Sequence, residues 1–197
     1  MSAVGAVLLT PGAGADREHR TLLAVEAALD VPVERVDFPY RKEGRKAPDR
    51  PPRLIASVVA DAADLATSSG APPASIALGG RSMGGRICSM AVAEGLPARG
   101  LVLISYPLHP PGKPERLRVE HFGALDLPCL FVSGTRDTFG TPEELESHTA
   151  AIPGPVTHVW IEGGRHELDR VDDQICEAVT SWIDQLPPPG PPAGPRG

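Results

Sequence analysis

Residues 75–85 read Ser-Ile-Ala-Leu-Gly-Gly-Arg-Ser-Met-Gly-Gly, and this stretch carries the main signal for both the fold and a functional site. Its first part, Ser75 to Gly79, is a short apolar run that predicts a buried strand. A helix is predicted directly afterwards, from Met83 to Glu94. Between them lies G-x-S-x-G around Ser82, a pattern typical of a nucleophile elbow, in which glycines allow the tight turn that lifts a serine hydroxyl above the sheet edge.

Short apolar runs alternate with amphipathic segments along the rest of the chain, which predicts βαβ units and a mostly parallel sheet. Six strands are predicted, at Val4–Thr10, Val33–Phe38, Ser75–Gly79, Gly100–Ser105, Pro128–Ser133 and Val156–Ile161. Five helices are predicted beside them, at Asp16–Leu29, Pro52–Ala66, Met83–Glu94, Pro142–Ala151 and Asp172–Leu186. For a doubly wound sheet of this kind we expect the strand order 2-1-3-4-5-6, with helices on both faces.

The composition fits one compact domain of the α/β class. The chain has 197 residues, of which 41% are hydrophobic, and a formal net charge of -6. An acidic balance argues against nucleic acid as a partner, because a nucleic-acid-binding domain carries a basic footprint. We expect residues 1–186 to form the domain and residues 187–197, with six prolines and three glycines, to form a disordered tail.

Targeting and cofactor signals are weak throughout the chain. No apolar run approaches the roughly 18 residues of a membrane-spanning helix, and no basic residue precedes Arg17 to begin a signal peptide. We therefore expect a cytoplasmic protein with no membrane partner. Cys88, Cys129 and Cys176 are widely spaced in apolar surroundings and are interpreted as core residues, so neither a metal nor an organic cofactor is expected.

Two residues after later strands are candidate partners for Ser82. A serine hydroxyl is a poor nucleophile until a base takes its proton and a third group orients that base. Asp137 directly follows the fifth predicted strand and His166 directly follows the sixth, which gives the order Ser, acid, His. Asp126 precedes its strand, at the opposite edge of the sheet, and is excluded. The sequence thus predicts a catalytic triad of Ser82, Asp137 and His166.

An oxyanion hole is predicted next to this triad. The amide of Met83, at the start of the helix, is one expected donor. The second should come from the loop after the first strand, Thr10-Pro11-Gly12-Ala13-Gly14. Since Pro11 has no amide hydrogen, we assign the role to the Ala13 amide and place Gly14 beside it as a residue that lines the substrate site.

Four segments resemble one known family. They are similar to the small α/β-hydrolase-like family of testis-expressed protein 30, which also includes a large regulatory subunit of the non-specific lethal chromatin complex. The segments are GGRSMGGR at 79–86, G-A-G at 12–14, SGTRD at 133–137 and, the most specific, SYPLHPPGKPE at 105–115. The family's first loop usually reads H-G-A-G, whereas this chain has Pro11 before Gly12.

This resemblance implies a single-domain, capless α/β-hydrolase fold that lacks the first two strands of the full fold. It also implies that Ser82, Asp137 and His166 occupy the triad positions. Two functions remain open. One is a serine hydrolase, an esterase-like acyl hydrolase that acts on a small soluble ester or related carbonyl substrate. The other is a non-catalytic binding or scaffold module. The complete triad favours the enzyme, and dehalogenase chemistry is disfavoured because it needs a carboxylate in place of Ser82.

Three further features have two interpretations each. Arg81 either contacts an anionic substrate or braces neighbouring loops through carboxylate pairs. His109 either lines the substrate entrance or belongs to a rigid, proline-rich surface segment. Residues 41–53 carry six basic and two acidic side chains, and they form either a solvated connection or a basic collar that steers anionic substrates. The oligomeric state is not indicated by the sequence.

Overall fold

The computed structural model describes residues 3–187 and contains one six-stranded parallel sheet. The strands are β1 (Ala6–Thr10), β2 (Val33–Arg35), β3 (Ile76–Arg81), β4 (Gly100–Ile104), β5 (Cys129–Gly134) and β6 (Val156–Ile161). Their spatial order is β2-β1-β3-β4-β5-β6, which confirms the predicted topology. The predicted tail, apart from Pro187, lies outside the described residues.

An α-helix lies in every connection between consecutive strands except the one from β4 to β5, which contains only a 3₁₀ turn. The helices are α1 (Arg20–Ala28), α2 (Pro39–Lys42), α3 (Pro51–Ser69), α4 (Met83–Ala93), α5 (Pro142–Thr149) and α6 (Asp172–Gln185), with short 3₁₀ turns at Pro73–Ser75 and Phe122–Ala124. Within residues 3–187, no helix combines the length and the apolar composition that crossing a membrane would need.

The four central strands of the sheet are buried on both faces, as their near-continuous apolar sequences predict, whereas the edge strands β2 and β6 are partly exposed. In β4, Leu101 and Leu103 point into one core cluster, and Val102 and Ile104 point into the other. Helices α3, α4 and α5 contribute to the first cluster, while α1 and α6 contribute to the second. This arrangement confirms the expectation of helices on both faces.

The connection after β2 differs from the prediction. A six-residue strand is predicted at Val33–Phe38, but the strand ends at Arg35. Pro39 has no amide hydrogen for a strand ladder, and its fixed φ suits the first turn of a helix, so α2 begins there. Phe38 and Tyr40 are consequently turned into the core, where Tyr40 becomes fully buried.

The packing of α1 gives a stability prediction with a matched control. Leu22 is fully buried in the cluster between α1 and α6, whereas its neighbour Leu23 is 38% exposed. We expect Leu22→Ala to lower the free energy of unfolding by about 3 kcal/mol, because it leaves a cavity, and Leu23→Ala to lower it by less than about 1 kcal/mol. Urea denaturation measures both values. Equal losses would contradict this placement of α1.

Candidate active site

Ser82 lies in the turn that joins β3 to α4, in a strained backbone conformation. Its φ and ψ angles are 51° and -118°, a region that residues other than glycine seldom adopt. Two backbone hydrogen bonds hold the turn. The Ser82 amide donates to the carbonyl of Ile104 at 2.8 Å, and the Arg86 amide donates to the carbonyl of Ser82 at 3.1 Å. Ser82 is thereby fixed at the carboxyl edge of the sheet.

The glycines of the G-x-S-x-G pattern are explained by the close approach of β1. A Cβ atom at Gly80 would lie 2.1 Å from the carbonyl oxygen of Thr10, and one at Gly84 would lie 2.5 Å from the same atom. Both distances are far below van der Waals contact, and the atom that each Cβ would meet, the Thr10 carbonyl oxygen, belongs to the backbone and cannot rotate away. A side chain at either position would therefore displace β1 or open the turn.

The three predicted triad side chains meet at this edge. The distance from Ser82 Oγ to His166 Nε2 is 2.9 Å, and His166 Nδ1 lies 2.8 Å and 3.0 Å from the two carboxylate oxygens of Asp137. Asp137 is buried, and the backbone amide of Phe139 donates to its Oδ1 at 2.8 Å. When Nδ1 carries the imidazole proton, its N–H donates a hydrogen bond to the Asp137 carboxylate. Nε2 is then free to accept a hydrogen bond from the serine hydroxyl.

The loops that carry Asp137 and His166 are bonded to each other. The Arg136 amide donates to the carbonyl of Gly164 at 2.8 Å, next to the contacts that hold the two residues together. The ring of Phe139 stacks on the imidazole of His166, with ring centroids 3.9 Å apart. Phe139 thus contacts both residues: its amide binds the Asp137 carboxylate, and its ring packs on the His166 imidazole. The sequence gives one indication of these contacts, which is that Phe139 follows Asp137 by two residues.

Arg81 braces the loop of His166. The side chain is 5% exposed, and its Nη2 donates to the carbonyl of His166 at 2.9 Å and to Glu167 Oε2 at 2.7 Å. Burial alone would raise the pKa of Glu167, but the charge of Arg81 outweighs this effect, and the pKa is lowered. These contacts favour the bracing interpretation of Arg81, although the residue also lines the cleft described below.

The loop after β1 lies against the turn of Ser82. A Cβ atom at Gly12 would be 3.5 Å from the Cβ of Ser82. The hydroxyl of Tyr40 donates to the carbonyl of Ala13 at 2.9 Å, which fixes the orientation of that part of the loop. Because Met83 is the first residue of α4, its amide precedes the first intrahelical hydrogen bond. The sequence did not predict the contribution of Tyr40, which comes from the unexpected turn at Pro39.

A cleft of about 610 Å³ lies over Ser82. Its lining includes six of the predicted site residues, namely Ala13, Gly14, Arg81, Ser82, Met83 and His166. Asp137 does not line the cleft and lies behind His166, with Oδ2 2.8 Å from its Nδ1. The cleft therefore brings together all the predicted triad and oxyanion residues, either as lining or directly behind it.

His109 does not belong to this lining, which favours its second interpretation, that of a residue in a rigid, proline-rich segment, over a position at the substrate entrance. The backbone amide of His109 donates to the carbonyl of Phe139 at 3.0 Å, and the imidazole is turned toward α5. There Nδ1 lies 2.9 Å from the carbonyl of Pro110, and Nε2 lies 3.4 Å from Glu144 Oε2. The side chain therefore supports the loop beside Asp137 instead of facing the cleft.

The segment 41–53 does not form a basic collar. Arg45 and Arg53 form ion pairs with Asp49, at 2.8 Å and 3.0 Å, and both also pair with Glu43. Two more basic side chains are paired elsewhere, in Arg41–Asp16 and Lys42–Asp61. Asp49, not an arginine, is the charged residue of this segment that reaches the cleft. These contacts favour the interpretation of a solvated connection.

The cysteines take no part in the site. Burial raises the pKa of the Cys88 and Cys129 thiols to about 12, as expected for core residues, whereas Cys176 on α6 is only partly buried. In the part of the chain that the structure describes, no group of three or more His, Cys, Asp or Glu side chains is arranged to hold a metal ion.

Several solved structures share this fold. Est1E from Butyrivibrio proteoclasticus matches with a TM-score of 0.72 and 18% identity, over 91% of this chain and 87% of that one. Dienelactone hydrolase from Anabaena variabilis matches with a TM-score of 0.73 and 16% identity, over 91% and 85%. The esterase domain of a Rhodothermus marinus protein matches with a TM-score of 0.69 and 16% identity, over 94% and 88%. At these identities the likeness shows the fold alone.

A family model described as an alpha/beta hydrolase domain matches residues 3–182, which is nearly the whole described chain. The match covers β1 to β6 and all the residues assembled around Ser82. The chain therefore belongs to the α/β-hydrolase domain family.

Proposed function

We propose that this protein is a serine hydrolase, an esterase-like acyl hydrolase whose nucleophile is Ser82, whose general base is His166 and whose orienting acid is Asp137. One observation carries the proposal. Ser82 Oγ lies 2.9 Å from His166 Nε2, while the other ring nitrogen of His166 lies 2.8 Å from the buried Asp137. This is hydrogen-bonding distance for transfer of the serine proton, and it supports activation of Ser82.

In the first half of the proposed reaction, Ser82 Oγ attacks the carbonyl carbon of an ester while His166 Nε2 accepts the serine proton. The carbonyl electron pair moves to oxygen and forms a tetrahedral oxyanion. Asp137 stabilises the imidazolium that results and keeps its Nδ1–H oriented. When the oxyanion collapses, the ester C–O bond breaks and His166 returns the proton to the leaving alcohol. An acyl group then remains on Ser82.

In the second half, a water molecule repeats these steps. His166 takes a proton from the water as the water attacks the acyl carbon, and it returns the proton to Ser82 Oγ as the free acid leaves. The amides of Met83 and Ala13 are proposed to donate to the oxyanion in both halves. Each such donor typically contributes a factor of about 10² to 10³ to the rate.

We propose a small soluble ester as the substrate class. A cleft of about 610 Å³ has the size of a typical small-molecule site. Two of the structural neighbours are an esterase domain and a dienelactone hydrolase, which supports a carboxylic ester over other acyl compounds. A thioester or an amide would be cleaved by the same steps. Cytoplasmic location, independence of cofactors and the absence of nucleic-acid and membrane partners stay predictions.

We also propose a position within the family. The segment SYPLHPPGKPE at residues 105–115 supports membership of the branch that includes testis-expressed protein 30 and the non-specific lethal complex subunit. A relative that assembles into a chromatin complex keeps the second candidate function relevant, that of a non-catalytic module with the same shell. The hydrogen-bonded triad argues against that candidate.

The central test is labelling with a fluorophosphonate probe. We expect the wild-type protein to be labelled and Ser82→Ala to remain unlabelled, with kcat for 4-nitrophenyl esters reduced by about 10⁴-fold or more. Ser105→Ala is a matched control. Ser105 directly follows β4 as Ser82 follows β3, and it has the same φ of 51°, but its hydroxyl is buried without a hydrogen-bond partner among the described residues.

The control should remain labelled if its fold is intact, because the proposal assigns reactivity to the contact with His166. Absence of labelling in the wild type, together with absence of ester hydrolysis, would refute the enzyme and favour the binding module. Equal labelling of the wild type and Ser82→Ala would assign the reactivity to another residue.

Tyr40→Phe tests the loop that carries the proposed second oxyanion donor. This substitution removes only the hydroxyl that binds the carbonyl of Ala13. A hydrogen bond of this kind contributes about 1 kcal/mol, so we expect kcat to fall about fivefold to tenfold while KM changes less than about twofold. Steady-state kinetics with a 4-nitrophenyl ester measures both constants. A change in thermal stability with an unaltered kcat would limit Tyr40 to a structural role.

A further inference from the structure

Two arginines line the cleft beside Ser82 without any role in the triad. Arg86 lies on α4, four residues after Ser82, and therefore one helical turn along the same side. Arg118 lies in the segment between β4 and β5, on the facing part of the lining. Both side chains are partly buried, and the sequence pattern indicated neither of them as a site residue.

Neither arginine has a carboxylate partner. Among the ion pairs formed within residues 3–187, none involves Arg86 or Arg118. Arg86 Nε is buried without a hydrogen-bond partner, and Arg118 Nη1 has a carbonyl, that of Pro107, at 3.4 Å. A buried guanidinium nitrogen without an acceptor is unfavourable, since it has lost its hydration. The pair therefore lacks an acceptor that a ligand would supply.

Two other charged residues of the cleft are ion-paired, although Arg81 Nε and Asp49 Oδ2 are themselves buried without a hydrogen-bond partner among the described residues. Arg81 is paired with Glu167, and Asp49 is paired with Arg45 and Arg53. Glu115 and Glu120 border the adjoining groove together with the two arginines, but neither forms an ion pair with them. The uncompensated charge in this part of the site is thus positive, and it belongs to Arg86 and Arg118.

The fold holds Arg118 in this position despite the electrostatic repulsion between its charge and that of Arg86. Its amide donates to the carbonyl of Leu108 at 2.9 Å, and its carbonyl accepts from the hydroxyl of Tyr106 at 2.7 Å. Burial lowers the pKa of Arg118, and the positive charge of Arg86 lowers it further. Two like charges kept close together in a half-buried place are stabilised when an anion binds between them.

We propose that Arg86 and Arg118 form a subsite for a carboxylate, so that the substrates of the enzyme are esters that carry a carboxylate group apart from the ester bond. This inference rests on the proposed hydrolase function and narrows its substrate class. The planar guanidinium groups of the two arginines suit the recognition of a carboxylate, because each group can donate two parallel N–H hydrogen bonds to its two oxygens.

A binding measurement tests the subsite without catalysis. Adipate is titrated into Ser82→Ala protein by calorimetry, and the dissociation constant is compared with those of Ser82→Ala/Arg86→Gln and Ser82→Ala/Arg118→Gln. We expect each arginine substitution to weaken binding by about tenfold or more. Ser82→Ala/Arg116→Gln is the matched control. Arg116 is an exposed arginine of the same segment that borders the adjoining groove with Arg86 and Arg118 but does not line the cleft itself, so it controls for the loss of nearby positive charge, and its loss should change the constant less than about twofold.

A kinetic measurement then relates the subsite to turnover. The ratio of kcat/KM for mono-4-nitrophenyl adipate to that for 4-nitrophenyl hexanoate compares an anionic with a neutral acyl chain of the same length. We expect this ratio to exceed one in the wild type, to fall about tenfold in Arg86→Gln or Arg118→Gln, and to stay unchanged in Arg116→Gln. Circular dichroism establishes that each variant is folded.

The outcomes separate the two proposals. Hydrolysis of both esters with a ratio that the arginine substitutions leave unaltered would overturn the carboxylate subsite and leave the hydrolase function standing. Hydrolysis of neither ester, with adipate binding that depends on Arg86 and Arg118, would support the subsite and count against the hydrolase. If Arg116→Gln weakens adipate binding as much as Arg86→Gln does, the loss of affinity reflects the net charge of the protein alone. That result would contradict a specific carboxylate subsite.

Discussion

The close passage of β1 beneath the turn of Ser82 is the constraint on which the site depends. The carbonyl of Thr10 lies where side chains at positions 80 and 84 would have to be, so the turn forms only with glycine at both places. This contact brings the loop of Ala13 against Ser82 and leaves the first amides of α4 open to the cleft. A strained serine conformation, a helix start and a second loop are thus placed together by one backbone contact.

A second backbone contact positions the remaining triad members. A Cβ atom at Gly134 would lie 2.2 Å from the carbonyl oxygen of Gly164, so the loops after β5 and β6 also meet through glycine. Asp137 and His166 follow these two glycines by three and two residues. Neighbouring parallel strands deliver both loops to the same edge, and the direct contact between the loops leaves little freedom for the imidazole. Arg81 and Phe139 then limit the rotation of the His166 segment.

The strand order and the convergence of Ser82, Asp137 and His166 could be predicted from sequence because they follow from local patterns. An apolar run, a glycine pair and a polar residue after a strand each have short-range signatures, and a parallel sheet brings the strand ends together. The roles of Tyr40 and Phe139 could not be predicted in this way. Tyr40 reaches Ala13 from the short helix that begins at Pro39, and the ring of Phe139 reaches His166 across two loops.

The ion pairs around the site also could not be predicted from local sequence patterns. The sequence left segment 41–53 open as either a solvated connection or a basic collar, and the structure favours the connection, because the segment contains its own counter-ions and presents Asp49 to the cleft. The uncompensated positive charge comes instead from Arg86 and Arg118, which are far apart in sequence and meet only in the folded chain. The two interpretations of His109 also depended on contacts that only the fold supplies, those of its imidazole with the carbonyl of Pro110 and with Glu144. Net charge in a sequence window does not reveal which partners the fold supplies.

The most direct measurement of the central claim, that Ser82 is activated by His166 and faces two amide donors, is a crystal structure of the protein after reaction with a fluorophosphonate. The account predicts a covalent bond from phosphorus to Ser82 Oγ and a phosphoryl oxygen within about 2.7–3.1 Å of the amide nitrogens of Met83 and Ala13. An unmodified Ser82 after exposure to excess reagent, or an adduct whose phosphoryl oxygen points away from both amides, would contradict it.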